Sequence, residues 1–206
     1  MTPESRWLVL MLLGLGACQH AAVAQAAVGE TAIEQEPHQG PSPFAHAEQL
    51  ERGGRLREAA SEYLRLAGAF AAAGDAENLF YARYWGTRAL FDANEFDAVR
   101  EALAELHRIA DDDLARQAWV ACLEGLLERE TGTLAAALPK AEQALRLARL
   151  AADSKVEAAA LALLQGVEAS AGRYARALVL ARDRLALEQA LEPGGRDVAS
   201  AWNQLA

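Results

Sequence analysis

Aromatic side chains are scarce in this chain. Phe, Trp and Tyr make up only 6% of the 206 residues although 52% are hydrophobic, and the surplus is mainly alanine and leucine. Those two residues favour helices, whereas strands favour β-branched and aromatic residues. The composition therefore predicts an all-α protein whose core is closely packed through small side chains.

Basic residues are also fewer than acidic ones. The chain has 20 Lys and Arg against 29 Asp and Glu, which gives a formal net charge of −9. Such a surface repels phosphate backbones, so we expect no nucleic-acid partner. The simplest interpretation of the acidity is that it keeps the protein soluble.

The sequence lacks recognisable catalytic and metal-binding motifs. It contains no nucleophile elbow, phosphate-binding loop, zinc-protease helix or Cys-x-x-Cys pair. His46 and His107 have no obvious triad partner, and Cys122 lies in an apolar helical pattern that favours a buried, inert thiol. Asp111, Asp112 and Asp113 suit a helix start better than a calcium loop. We expect no enzymatic activity, cofactor or metal.

The N-terminal apolar run is too short to cross a bilayer. Residues 7–16 number ten, whereas a membrane-spanning helix needs about 20. The run follows Arg6, whose charge Glu4 offsets, and its length suits the hydrophobic region of a signal peptide.

This run ends in Leu15-Gly16-Ala17-Cys18, which resembles the lipobox of bacterial lipoproteins. The resemblance implies that residues 1–17 are removed and that Cys18 is lipidated. Two or more acyl chains make a stable membrane anchor. Gln19 stands where inner-membrane lipoproteins usually carry aspartate, which is compatible with sorting to the outer membrane. The resemblance therefore implies a periplasmic protein held at the outer membrane.

Ordinary secretion is the alternative. Residues 22–24 and 24–26 both satisfy the small-x-small rule of signal peptidase, which would release a soluble product. In either case residues 18–42 are punctuated by Pro37, Gly40 and Pro41 and lack an apolar period. We expect this segment to be a flexible tether before a folded domain at 43–206.

A repeated pattern organises that domain. Gly54, Asn94, Gly132 and Gly172 are spaced by 40, 38 and 40 residues. Each is followed after two positions by a hydrophobic residue and after five by a small or β-branched one. The latter are Ala59, Val99, Ala137 and Ala177. A fixed period in this range indicates a solenoid of helical pairs.

The pattern resembles the turn and second helix of the tetratricopeptide repeat (TPR). Its period is longer than the usual 34 residues and closer to the kinesin-light-chain variety. In the first helix of each pair, other residues occupy most of the expected Trp, Leu and Gly positions. The resemblance covers residues 43–206 and implies a right-handed α-solenoid of about four helical pairs plus a terminal helix.

Turn and capping residues predict the helix boundaries. Ser42-Pro43 indicates the first helix start, and Ser154 to Glu157 reads as a capping box. Pro139 should delay or kink its helix. Asp197 can cap the terminal helix, whose apolar edge would suit a homodimer. The predicted helices span 43–52, 56–72, 76–93, 96–109, 114–130, 134–152, 154–171 and 174–191.

The first helix of the second pair carries the candidate binding residues. They recur at helical spacing, and Glu48 of the first pair adjoins them. In TPR proteins the first helices line a concave groove, so the resemblance implies exposed anchors for a protein or peptide. The alternative is that these rings pack in the core. The candidates are Tyr81, Tyr84, Trp85, Arg88, Phe91 and Glu48.

Two functions are consistent with these patterns. The first is a lipid-anchored periplasmic scaffold or adaptor that binds a protein or peptide in its groove. The alternative is the N-terminal sensory or adaptor part of a longer signalling protein or enzyme that continues beyond Ala206.

Overall fold

The computed structural model describes residues 42–191, which form eight α-helices and no strand. The predicted all-α class is confirmed. Cys18, the tether and the predicted terminal helix at 197–206 lie outside the described residues. The helices are α1 (Ala45–Arg52), α2 (Leu56–Ala73), α3 (Ala76–Asp92), α4 (Phe96–Ala110), α5 (Leu114–Thr131), α6 (Leu134–Leu150), α7 (Ser154–Ser170) and α8 (Tyr174–Leu191).

The helices pack in the order in which the chain makes them. Each contacts its sequence neighbours, and in addition α3 contacts α5 and α5 contacts α7. This nearest-neighbour arrangement is typical of an α-solenoid, in which each unit buries its apolar face against the next. Between residues 42 and 191, none of the helices is both long and apolar enough to cross a membrane.

The backbone conformation explains which residues occupy the repeated turn position. Gly54, Asn94 and Gly172 adopt φ angles of 73°, 62° and 74°, in the left-handed region that glycine and asparagine tolerate best. Gly132 differs, with φ of −112°. There a Cβ would lie 3.0 Å from the carbonyl oxygen of Glu128, so glycine permits a close approach.

The first helix begins later than predicted. Helix α1 starts at Ala45, whose N–H donates to the Ser42 carbonyl at 2.9 Å across a turn. The Ser42 hydroxyl accepts from the Phe44 N–H at 3.2 Å and donates to Glu48 at 3.1 Å. Ser42 therefore organises the turn before the helix, and Pro43 is not helical.

The predicted capping box is wrong. The Asp153 carboxylate caps α7 by accepting from the N–H groups of Lys155 and Val156 at 2.9 and 3.1 Å. Ser154 is the first helical residue, and Glu157 forms an ion pair across the turn instead. The carboxylate, one position earlier, satisfies two of the free N–H groups at the helix start.

Pro139 does not delay its helix. Helix α6 begins at Leu134 and continues through Pro139, which is exposed. Proline removes a donor to the carbonyl four residues earlier, here Ala135, which is also exposed. Water can satisfy that carbonyl, so the helix tolerates the residue.

The core consists of three successive clusters. A first cluster joins α1, α2 and α3 around Ala47, Leu50, Ala59, Ala60, Tyr63 and Ala89. An aromatic cluster joins α3, α4 and α5 around Phe80, Tyr84, Phe91, Val99, Leu106, Ala110, Val120, Leu123 and Leu127. An alanine cluster joins α5 to α8 and includes Ala118, Ala121, Ala137, Ala141, Ala144, Ala148 and Ala160. The predicted core of small side chains is thus found mainly in the last cluster.

A buried carboxylate joins α7 to α8. Glu168 has no exposed surface, and its carboxylate forms ion pairs with Arg173 and Arg176, the latter at 3.1 Å. Both arginines are about half exposed. The last described turn is therefore held by charge as well as by apolar contact.

Candidate binding surface

Two of the predicted anchors lie in the core. Tyr84 is 3% exposed and Phe91 is 7% exposed, so the expectation that they face solvent is wrong. The Tyr84 ring stacks on Phe80 at 6.2 Å between centroids and lies 5.0 Å from Trp119. Burial raises the pKa of the Tyr84 hydroxyl well above its usual value. For these two residues the core alternative holds.

Side chains of α3 are buried because neighbouring helices cover α3 on two sides. Gly86 and Ala89 lie against α2, where a Cβ on Gly86 would approach Tyr63 to 3.2 Å. Phe91 lies in the aromatic cluster between α3 and α4, with its ring 5.6 Å from Phe96. A stripe of α3 remains between these two sides.

The remaining stripe is partly exposed. Tyr81, Trp85, Arg88 and Asp92 recur at i, i+4, i+7 and i+11 and are all of intermediate exposure. Trp119 of α5 joins them, with its ring 6.2 Å from that of Trp85. We call these five residues the aromatic stripe.

Trp119 was not among the predicted anchors, although the spacing of the repeat indicates it. Asn94 and Gly132 are 38 residues apart, and Trp119 follows Tyr81 by the same interval. The two rings therefore occupy equivalent positions in consecutive pairs. Counting back from each turn would have identified Trp119.

The charges of several carboxylates act on Tyr81, near the start of α3. Burial raises the pKa of the Tyr81 hydroxyl, and the charges of Asp153 and Glu77 raise it further. Asp113 acts in the same direction, whereas Arg116 opposes it. Arg116 pairs with Asp113 at 3.4 Å.

A second charged group lies at the other end of the stripe. The Arg88 guanidinium donates to the Asp92 carboxylate at 3.0–3.1 Å. Glu51 of α1 accepts from the Tyr63 hydroxyl at 3.3 Å. Burial raises the pKa of Glu51, and the charges of Asp92 and Glu48 add to that rise. The membership of Glu48 in the binding surface stays a prediction; its carboxylate accepts from the Ser42 hydroxyl at 3.1 Å.

No known protein-family model matches this chain, and none of the curated proteins compared with it is a significant match. The surface must therefore be interpreted from its own side chains.

The chemistry available beneath the stripe is limited. Cys122 is 3% exposed, which confirms its predicted burial, and this burial raises the pKa of its thiol to about 12. A thiol kept neutral in this way is a poor nucleophile. Within residues 42–191 no group of three or more His, Cys, Asp or Glu side chains is placed to hold a metal ion.

Proposed function

We propose that this protein is a lipid-anchored periplasmic scaffold or adaptor of the TPR type, which binds a protein or peptide through the aromatic stripe. The observation that carries this proposal is the meeting of Trp85 and Trp119, from separate helices, at 6.2 Å while both remain partly exposed. Tryptophan and tyrosine in such positions supply much of the binding energy at protein interfaces.

The rings are also fixed in place before any partner arrives. The buried Tyr84 ring lies 5.2 Å from Trp85 and 5.0 Å from Trp119. A side chain that is already ordered loses little entropy on binding. Preorganised rings on helices therefore support a binding role better than mobile surface rings would.

The proposed location is supported by the sequence before the domain. Leu15-Gly16-Ala17-Cys18 has the order of a lipobox, and residues 18–42 are long enough to separate a lipid from the helical domain. Acyl chains on Cys18 would hold the stripe at the periplasmic face of the outer membrane.

An affinity capture from detergent-solubilised envelopes tests the proposal. The full-length protein should retain a polypeptide that the Trp85→Ala and Tyr81→Ala variants lose. Tyr174→Ala removes a ring that is 71% exposed on α8, away from the stripe, and serves as the matched control. Circular dichroism would verify that the variants remain folded.

Two outcomes would contradict this proposal. Equal capture by wild type and both stripe variants would remove the stripe from the binding surface. Cys18→Ser should move the protein from the membrane to the soluble fraction, and an unchanged distribution would refute the lipid anchor.

A further inference from the structure

Carboxylates outnumber guanidinium groups near the start of the aromatic stripe. The groups that act on the Tyr81 hydroxyl include the carboxylates of Glu77, Asp113 and Asp153 and the single guanidinium of Arg116. Arg116 is already paired with Asp113. Glu77 and Asp153 have no ion pair among the described residues, although the Asp153 carboxylate accepts from the N–H groups of Lys155 and Val156 at the start of α7.

At the other end of the stripe, carboxylates again outnumber arginines. The charges of Glu48 and Asp92 act on the Glu51 carboxyl in one direction and that of Arg88 in the other. Arg88 is already bound to Asp92 by several hydrogen bonds. Glu48 and Glu51 have no ion pair within the described residues and accept only from the hydroxyls of Ser42 and Tyr63. The rings of Tyr81, Trp85 and Trp119 thus lie between two regions of negative potential.

From this arrangement we infer that the segment bound by the stripe is cationic, with Lys or Arg side chains on either side of aromatic or aliphatic ones. The inference rests on the proposed function, because it concerns the partner of the same surface. Ring faces attract ammonium and guanidinium groups through their quadrupole. The rings and the carboxylates therefore favour the same kind of partner, and both disfavour an acidic or phosphorylated one.

The dimensions of α3 set the spacing of those cations. Eleven residues separate Tyr81 from Asp92, which corresponds to about 16 Å along a helix. An extended segment covers that distance in about five residues. We expect basic side chains about five positions apart, with apolar side chains between them.

A second copy of this chain is the less favourable occupant. The net charge of −9 means that another copy would bring mainly like charge to the stripe. Like charges across an interface oppose association. A basic partner has no such cost.

The test is a selection from an unbiased library of random twelve-residue peptides displayed on phage, with the full-length protein as bait. Bound peptides should be enriched in Lys and Arg, with Phe, Trp or Leu between them. Their binding should weaken as salt rises from about 50 to 300 mM, because exposed charge pairs are screened.

Paired variants then locate the charges. Glu48→Gln combined with Glu77→Gln should weaken the binding of a selected peptide by about fivefold to tenfold. Glu101→Gln combined with Asp183→Asn removes the same charge from exposed positions on α4 and α8, and should leave the affinity unchanged.

The outcomes separate this inference from the proposed function. Acidic or neutral peptides that depend on Trp85 would overturn the cationic inference and leave the proposed function standing. Peptides that bind the Trp85→Ala variant as well as wild type would overturn both. A change in tryptophan emission when the protein alone is diluted would identify a second copy as the occupant and refute the inference.

Discussion

The aromatic cluster and the alanine cluster hold consecutive helices together in different ways. Between α3, α4 and α5, rings such as Phe80 and Tyr84 fill the space. Between α5, α6 and α7, alanines fill it and the backbones lie closer. A Cβ on Gly125 would lie 2.7 Å from Leu163 Cδ2 and 3.5 Å from the backbone nitrogen of Ala141. The aromatic cluster depends on large side chains, and the alanine cluster depends on small ones.

This difference also places the candidate binding surface. A ring is too large to be enclosed completely at every position of α3, so Tyr81 and Trp85 stay partly exposed while Phe80 and Tyr84 are buried. Helix α7 carries alanines at its partly exposed positions 159, 162 and 169. The partly exposed rings of Tyr81, Trp85 and Trp119 thus lie over the aromatic cluster, whereas most of the exposed large hydrophobic side chains, such as Tyr174, lie on α8.

The largest expected effect comes from truncating a large side chain in the aromatic cluster. Phe80 is fully buried, and Phe80→Ala should destabilise the protein by about 3–5 kcal/mol through lost burial and the cavity left behind. Urea denaturation would measure the loss. Tyr174→Ala, which removes an exposed ring, should cost less than about 0.5 kcal/mol. Equal costs for the two variants would mean that ring volume does not support this cluster.

The alanine cluster should instead be destabilised by a larger side chain. Ala144 is fully buried in α6, so Ala144→Leu should overpack its contacts and destabilise the protein by about 1–3 kcal/mol. Ala135→Leu places the same side chain at an exposed position of the same helix and should be nearly neutral. A stable Ala144→Leu variant with an unchanged thermal midpoint would show that the helices are not closely apposed.

The smallest effect should come from the polar contact between Glu51 and Tyr63, in the first core cluster that shares α3 with the aromatic cluster. Burial raises the folded-state pKa of Glu51, so stability linked to this carboxyl is complete below its unfolded pKa and is lost as pH rises through the raised value. Glutamine can still accept from the Tyr63 hydroxyl but does not ionise. Glu51→Gln should therefore be more stable than wild type at pH 7, by less than about 1 kcal/mol.

That gain should vanish near pH 4, where the wild-type carboxyl is protonated. Denaturation curves at the two pH values would measure it. Glu101→Gln, at an exposed position of α4, serves as the control for removing one negative charge. A difference between Glu51→Gln and wild type that stays constant from pH 4 to pH 7 would contradict the role assigned to burial.

Sequence reasoning predicted the turns and helices because their causes are local. Gly54, Asn94 and Gly172 mark turns since their left-handed φ angles restrict which residues fit. Sequence reasoning assigned the cap to Ser154 and missed Asp153, because both side chains accept hydrogen bonds well and they are adjacent.

The exposure of each ring on α3 could not be predicted in the same way. Helical spacing fixes the direction of Tyr81, Tyr84 and Phe91 around the axis, but not which directions other helices cover. Tyr84 is buried because α5 brings Trp119 to within 5.0 Å of it. Such a contact depends on the next helical pair, which local periodicity does not encode.

Helix α5 belongs to both kinds of core. Ala118, Ala121 and Cys122 lie in the alanine cluster, whereas Val120, Leu123 and Leu127 lie in the aromatic cluster. When one end of the array frays, α5 still keeps the neighbours on its other side. Its backbone amides are thus protected against hydrogen exchange until both ends have opened together. Among the described helices we therefore expect the slowest exchange in α5, which lies in the middle of the array and carries Trp119.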